Sequence, residues 1–205
     1  MKIKKFFPFL LAVLIFIISN FIQNNIGDDK KNIEGKIARI EKDLTGFLQY
    51  NSISANNYNF AQVHLNGVIE KTYENNTDLR KIYMTEVTDQ MSRALSALNE
   101  ATKSISGNST DDITDVIDKM KTANGDNSFS NFYNTYMQAI EKSTSLTKKI
   151  NERIEKLGDD KIELKRKLSS LTSKEAIVLN ITIALNFLIL LFAHIEKKDK
   201  KKQII

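Results

Sequence analysis

The sequence predicts an all-α chain in which two transmembrane helices flank an extracytoplasmic antiparallel four-helix bundle or coiled coil. Three observations carry that expectation. One Pro and seven Gly in 205 residues argue against a turn-rich β architecture. Apolar residues recur in alternating steps of three and four over most of the chain, the period of a helix with a heptad seam. The two most apolar stretches lie near the ends, each with lysines on its outer flank.

The first span is placed at 6–26, behind a short N-terminus of residues 1–5 that carries Lys2, Lys4 and Lys5. Phe6 to Ile18 form its apolar run, and Phe21 and Ile22 extend it past Ser19 and Asn20. A charged start followed by a short apolar run also fits a cleaved signal peptide. The cleavage site separates the two readings. Ser19 is the small residue in place, but Ile17 stands two positions before it where Ala is favoured, so the sequence favours an uncleaved signal anchor. Pro8 is expected in the first turn, where its missing N–H breaks no helix bond.

The second span runs from 176 to 195 without a formal charge, and at ~1.5 Å rise per residue it matches a hydrocarbon core of ~30 Å. A basic tail, 196–205, follows.

Charge placement excludes a nucleic-acid partner. The net charge of +5 and pI near 9.2 invite that reading. Yet of 30 basic and 25 acidic side chains, eight and two lie in the termini before Phe6 and after Ile195, leaving 22 against 23 between them. A near-neutral middle has no footprint for a phosphate backbone. By the positive-inside rule the flanking lysines put both termini in the cytoplasm of a cell inner membrane, and residues 27–175 in the periplasm or outside the cell.

Within 27–175 the first helix is expected over 28–74. Its seam is Ile33, Ile37, Ile40, Leu44 and Phe47, carried in phase through Asn51, Ser54, Tyr58, Ala61, Leu65, Val68 and Thr72. Asn75, Asn76 and Thr77 supply a turn and a helix cap. A second helix over 78–106 follows Met84, Val87, Met91, Ala94, Leu98, Ala101 and Ile105, and Gly107 and Asn108 end it. A short third helix, capped by Ser109 or Thr110, carries Ile113, Val116, Ile117 and Met120 and breaks in the polar loop Ala123 to Ser128 with its Asn124-Gly125 turn signal. The fourth begins near Phe129 and keeps phase from Tyr133 and Tyr136 to Leu168 and Leu171. Gly158 either lies inside it or ends it, with Asp159 capping a successor. The outer arms, 28–74 and 129–175, have equal length.

In layout, residues 1 to 195 resemble the four-helix-bundle extracytoplasmic sensor modules of bacterial chemoreceptors and sensor kinases. The resemblance is one of topology. Those receptors continue into a cytoplasmic relay, which the tail 196–205 does not supply, so it implies signalling through membrane partners.

Three groups of residues are candidate sites. Asn51 and Ser54 interrupt one seam and Ser143 and Thr147 the other, at matching heights above the membrane. Such a polar core layer must be satisfied by partners, water or a small polar ligand, or it fixes register as a buried Asn does in coiled coils. Asn180, Thr182, Ala184 and Asn186 offer polar or small groups inside the second span, Thr182 and Asn186 on one face and Asn180 and Ala184 on another. An amide facing lipid is costly, so they point to a helix partner: the first span, a second copy or another membrane protein. Phe129, Phe132, Tyr133 and Tyr136 form a membrane-distal aromatic cluster, as cap packing or as a ligand surface.

Other chemistry has no candidate residues. Zero Cys removes disulfides, thiolate metal sites and thiol nucleophiles. His64 and His194 stand alone, so no metal site, cofactor or catalytic group is expected. Asn75 and Asn108 begin Asn-x-Thr triplets, meaningful as glycosylation sites only in a eukaryotic host. The sequence therefore predicts a non-enzymatic, membrane-anchored binding module, with a small envelope-perturbing or phage-excluding effector as the alternative.

Overall fold

The computed structural model describes the backbone of residues 3–106 and 113–202, and the side chains of 7–105 and 113–195. Four helices fill nearly all of this: α1 (Ile3–Tyr73), α2 (Thr77–Ser106), α3 (Thr114–Gly125) and α4 (Phe129–Lys202). The chain is all-α, with no strand among the described residues. The expected span 6–26 and the helix 28–74 are one helix, and α4 passes through Gly158 unbroken. The expected stop at Gly107–Asn108 and the cap at Ser109 or Thr110 lie outside the described residues.

Two sequence expectations need correction. Helix α1 begins at Ile3, so Pro8 sits inside the helix beyond its first turn. Its missing N–H there leaves the Lys4 carbonyl without its helical partner. The chain does break within Ala123 to Ser128, but the Asn124-Gly125 pair is not the turn. Both residues are the last of α3, and the turn falls on Asp126 and Asn127, with Asn127 taking the left-handed conformation at φ 50°. Asparagine tolerates that region better than most side chains, so the turn signal lies two residues later than expected.

The chain divides into two compact units, one of Met1–Arg39 and Asp160–Ile205, the other of Ile40–Asp159. The first is a helix pair. Ser19 and Ile37 are buried, and Ile26, Lys30 and Ile33 half-buried, while α4 presents Leu164, Leu168, Leu171, Glu175, Val178 and Thr182 as its half-buried row. Polar contacts join the helices, among them the Ser19 and Thr182 hydroxyls at 2.7 Å and Lys30 Nζ to a Glu175 carboxylate oxygen at 2.8 Å. Elsewhere the apolar ends are bare. Phe9, Phe16, Phe21, Phe187, Leu190 and Phe192 are all more than half exposed, and both helices are long and apolar enough to cross a membrane.

The second unit is a packed bundle centred on α2. Met84, Val87, Met91, Leu95, Leu98 and Ala101 of α2 are fully buried against Phe47, Ala61 and Val68 of α1, Ile117 and Met120 of α3, and Phe132, Leu146, Ile150 and Leu157 of α4. Thr88 and Thr102 are buried on α2 too, their hydroxyls donating to carbonyls one turn back. The buried stripe is thus wider than a two-helix seam, as a helix with neighbours on several sides requires.

The turn ends of this unit are tied together. Asn75 takes φ 54°, and Asn76 Oδ1 accepts the Leu79 N–H at 3.1 Å, capping α2. Ser128 Oγ receives the Asn131 N–H at 3.4 Å at the start of α4. Arg80 Nε and an Arg80 terminal nitrogen donate to the side-chain and backbone oxygens of Asn127, each at 3.1 Å.

Candidate ligand groove

Helices α1 and α4 carry the polar interruption inside the Ile40–Asp159 unit. Ser54 is buried and Asn51, Ser143 and Thr147 are half-buried. The contact that sets their level is one the sequence did not single out: Asn51 Nδ2 donates to Asn151 Oδ1 at 3.2 Å. In antiparallel helices of equal rise, positions facing each other have a constant sum of residue numbers. Ser54 and Thr147 fall one residue from the sum set by Asn51 and Asn151, about 1.5 Å along the axis.

At this level a groove of about 550 Å³ opens on the bundle. Tyr58, Ser143, Thr147, Lys148 and Asn151 line it, with Glu152 and Glu155 on the following turn of α4. Its polarity is mixed. Tyr58 Oη accepts a hydrogen bond from Gln62 Nε2 at 2.9 Å, the hydroxyls of Ser143 and Thr147 are present on the wall, and Lys148 sets a cation among two carboxylates.

Two buried polar atoms beside the groove's residues have unmet hydrogen-bonding capacity. Asn51 Oδ1 accepts nothing, although its amide nitrogen is paired with the groove residue Asn151. Tyr136 Oη is also without a partner. Burial first, and the neighbouring Tyr58 phenol second, push the Tyr136 pKa above the ordinary tyrosine value, so it stays a neutral O–H. A carbonyl short of a donor and a phenol short of an acceptor are what a small polar solute would satisfy. No group of three or more His, Asp or Glu that could hold a metal ion occurs among the described residues.

The distal aromatic residues differ in burial, and Phe129 packs against the core that holds Phe132 and Tyr136. Phe132 and Tyr136 are in the core, whereas Phe129 and Tyr133 pack on each other nearer the surface, ring centroids 6.0 Å apart at 37°. His64 rests beside the Tyr83 ring at 6.1 Å. The four candidates in the second apolar run lie on two faces of α4, in the pairs that helical spacing sets. Thr182 bonds Ser19 and the Val178 carbonyl, and Asn186 Nδ2 donates to the Thr182 carbonyl at 3.0 Å. Asn180 and Ala184 are exposed on the opposite side of α4.

Sequence reasoning missed Asn151 because it is exposed and off the apolar seam. The signal that would have found it is the antiparallel numbering itself, which sets an Asn opposite Asn51. Comparison with protein-family models, with curated proteins and with solved structures found no match.

Proposed function

We propose that the chain is a non-enzymatic, membrane-anchored helical-bundle protein whose extracytoplasmic part binds a small polar ligand or a partner's polar surface, as a sensor-like or scaffold module acting through membrane partners. The observation that carries this reading is the groove at Asn51 and Asn151, where a buried carbonyl oxygen lacks a donor. Leaving such an atom unmet costs about 1–3 kcal/mol, a penalty a bound donor would remove. Two further features support it. Helices α1 and α4 each contribute to the bundle and to an apolar segment without a helix break. Asn180, exposed amid apolar side chains, favours a homo-oligomer or another membrane protein against that side of the second span.

Orientation is tested by reporter fusions: after Lys202 the reporter is expected to be active as a cytoplasmic one, and near Asn124 as an extracytoplasmic one. A cytoplasmic signal at Asn124 would overturn the topology. Function is tested by inducing the full-length chain while recording membrane potential and growth. An unchanged potential is expected of a binding module. Rapid depolarisation would replace this reading with that of an effector that compromises the bilayer by assembly of its spans.

A further inference from the structure

A second groove, of about 280 Å³, lies in the Met1–Arg39 and Asp160–Ile205 unit. Asp29 and Asn32 line it from α1, and Lys167, Ser170 and Lys174 from α4, over an apolar floor of Ile33 and Leu171. Its height is informative. Asp29 is three residues beyond Ile26, where the first span is placed to end, and Lys174 two residues short of Ala176, where the second begins. At ~1.5 Å per residue both charges stand about 3–5 Å from the hydrocarbon boundary, inside a headgroup layer roughly 5–8 Å thick on each side.

The side chains left unpaired there describe the occupant. Lys167 is held by Glu163 at 2.5 Å, a pairing that also draws the Glu163 pKa below the usual carboxylate value. Lys30, nearby on α1, is held by Glu175. The side chains of Asp29, Asn32, Ser170 and Lys174 make no hydrogen bond or ion pair among the described residues. One free cation, one free carboxylate, one amide and one hydroxyl complement a group carrying one negative and one N–H-bearing positive charge.

We infer that this groove binds the headgroup of a zwitterionic aminophospholipid, a phosphate diester joined to a primary ammonium. Lys174, Ser170 and Asn32 donate to the phosphate oxygens, and the Asp29 carboxylate accepts from the ammonium. A trimethylated ammonium has the same charge but no N–H to give Asp29, so the site discriminates between the two headgroups. A soluble phosphoamine shares this chemistry and differs only in lacking acyl chains. The inference rests on the apolar helices lying in a bilayer and is independent of the ligand groove in the bundle.

The test is native mass spectrometry of the full chain in detergent, titrated with dioleoyl phosphatidylethanolamine or dioleoyl phosphatidylcholine. Ethanolamine lipid is expected to bind about tenfold more tightly or better, the factor that one charge-assisted hydrogen bond supplies. Asp29→Asn should abolish that preference, Lys174→Gln should weaken both lipids, and Lys31→Gln, exposed and outside the groove, should change neither. Equal binding of the two lipids, or a preference that survives Asp29→Asn, overturns the site. Displacement of the lipid by an equal concentration of sn-glycero-3-phosphoethanolamine, the same diester without acyl chains, overturns the lipid as its source and assigns a soluble phosphoamine. Flotation with vesicles of the two lipids separates the premises: a chain that fails to float overturns the membrane reading, and one that floats without discriminating overturns the headgroup site alone.

Discussion

Asn51 gives its amide hydrogen to Asn151 at 3.2 Å while its own carbonyl oxygen, buried, receives nothing. The pair is half satisfied, and the two roles open to it forecast different outcomes for one substitution. Asn51→Leu removes the unmet oxygen and extends the neighbouring apolar contacts, and exposed Asn151 takes water as its new partner. Stability should rise by about 1 kcal/mol, read as a higher denaturation midpoint at unchanged m-value. If the oxygen receives a ligand donor, the biological phenotype disappears in the same variant. A stabilised protein with its phenotype intact would reduce the pair to a register device.

Gly67 has a packing requirement rather than a turn requirement. A Cβ placed there would meet the Tyr83 ring at 2.9 Å, with three ring carbons at that distance. Gly67→Ala should therefore destabilise the bundle by about 1–3 kcal/mol despite the better helix propensity of Ala. Combining it with Tyr83→Leu should cost less than the two single changes together, since the clash is then removed. Strict additivity in denaturant melts would show that α1 and α2 do not approach at this point.

Arg80 and Asn127 are 47 positions apart and join the start of α2 to the α3–α4 turn by two hydrogen bonds. Asn127→Gly keeps the left-handed backbone and the backbone acceptor but removes the side-chain oxygen, so it should cost about 0.5–1.5 kcal/mol. Asn127→Val should cost more, because a β-branched residue resists φ 50°. Equal losses in thermal melts would mean that backbone conformation contributes nothing there.

Much of the helical framework was legible because apolar spacing is a local property. The α1 row through Asn51, Ser54, Tyr58, Ala61, Leu65, Val68 and Thr72 is buried or half-buried at every position. The second rows were not legible. Leu95 on α2 and Phe132, Ala139 and Leu146 on α4 are buried beside the seams, because a bundle helix faces two or more neighbours and a heptad describes one. Pairings between distant residues, such as Asn51 with Asn151, or Arg80 with Asn127, depend on axial alignment and turn shape, which no local pattern encodes. Tyr133 keeps seam phase yet is 39% exposed, since the buried face of α4 at this end runs through Phe132, Tyr136 and Ala139 beside it.

The Ser19–Thr182 contact makes a covalent test available, because the chain contains no Cys. In membranes containing the full-length Ser19→Cys/Thr182→Cys variant, mild oxidation should give a crosslink within one chain, seen as a shifted monomer band. Hydroxyl pairs of this kind contribute about 0.6 kcal/mol inside a bilayer, so replacing both should leave assembly intact. A disulfide formed only between chains would place Ser19 against a second copy instead.

Tyr136 links burial to an alkaline limit on stability. Its phenol is 3% exposed and without a hydrogen-bond partner, and burial first, then Tyr58, holds its pKa above that of an unfolded tyrosine near ~10. The sign follows from proton counting. Between the unfolded and the folded pKa the folded chain keeps the proton and the unfolded chain releases it, so the unfolded state binds fewer protons and unfolding becomes easier as pH rises. Tyr136 therefore has no pH-dependent cost below about pH 10, and above it removes up to ~1.4 kcal/mol of stability per pH unit until the folded pKa is passed. Tyr136→Phe abolishes both this term and the unmet hydroxyl. Its stability at pH 7 should equal or exceed that of the parent, and the difference between the two chains should widen in favour of the phenylalanine variant between about pH 10 and pH 11. Parallel stability curves over that interval, measured by denaturant melts at each pH, would show that the Tyr136 hydroxyl is hydrated in solution and that the groove beside Tyr58 admits water to it.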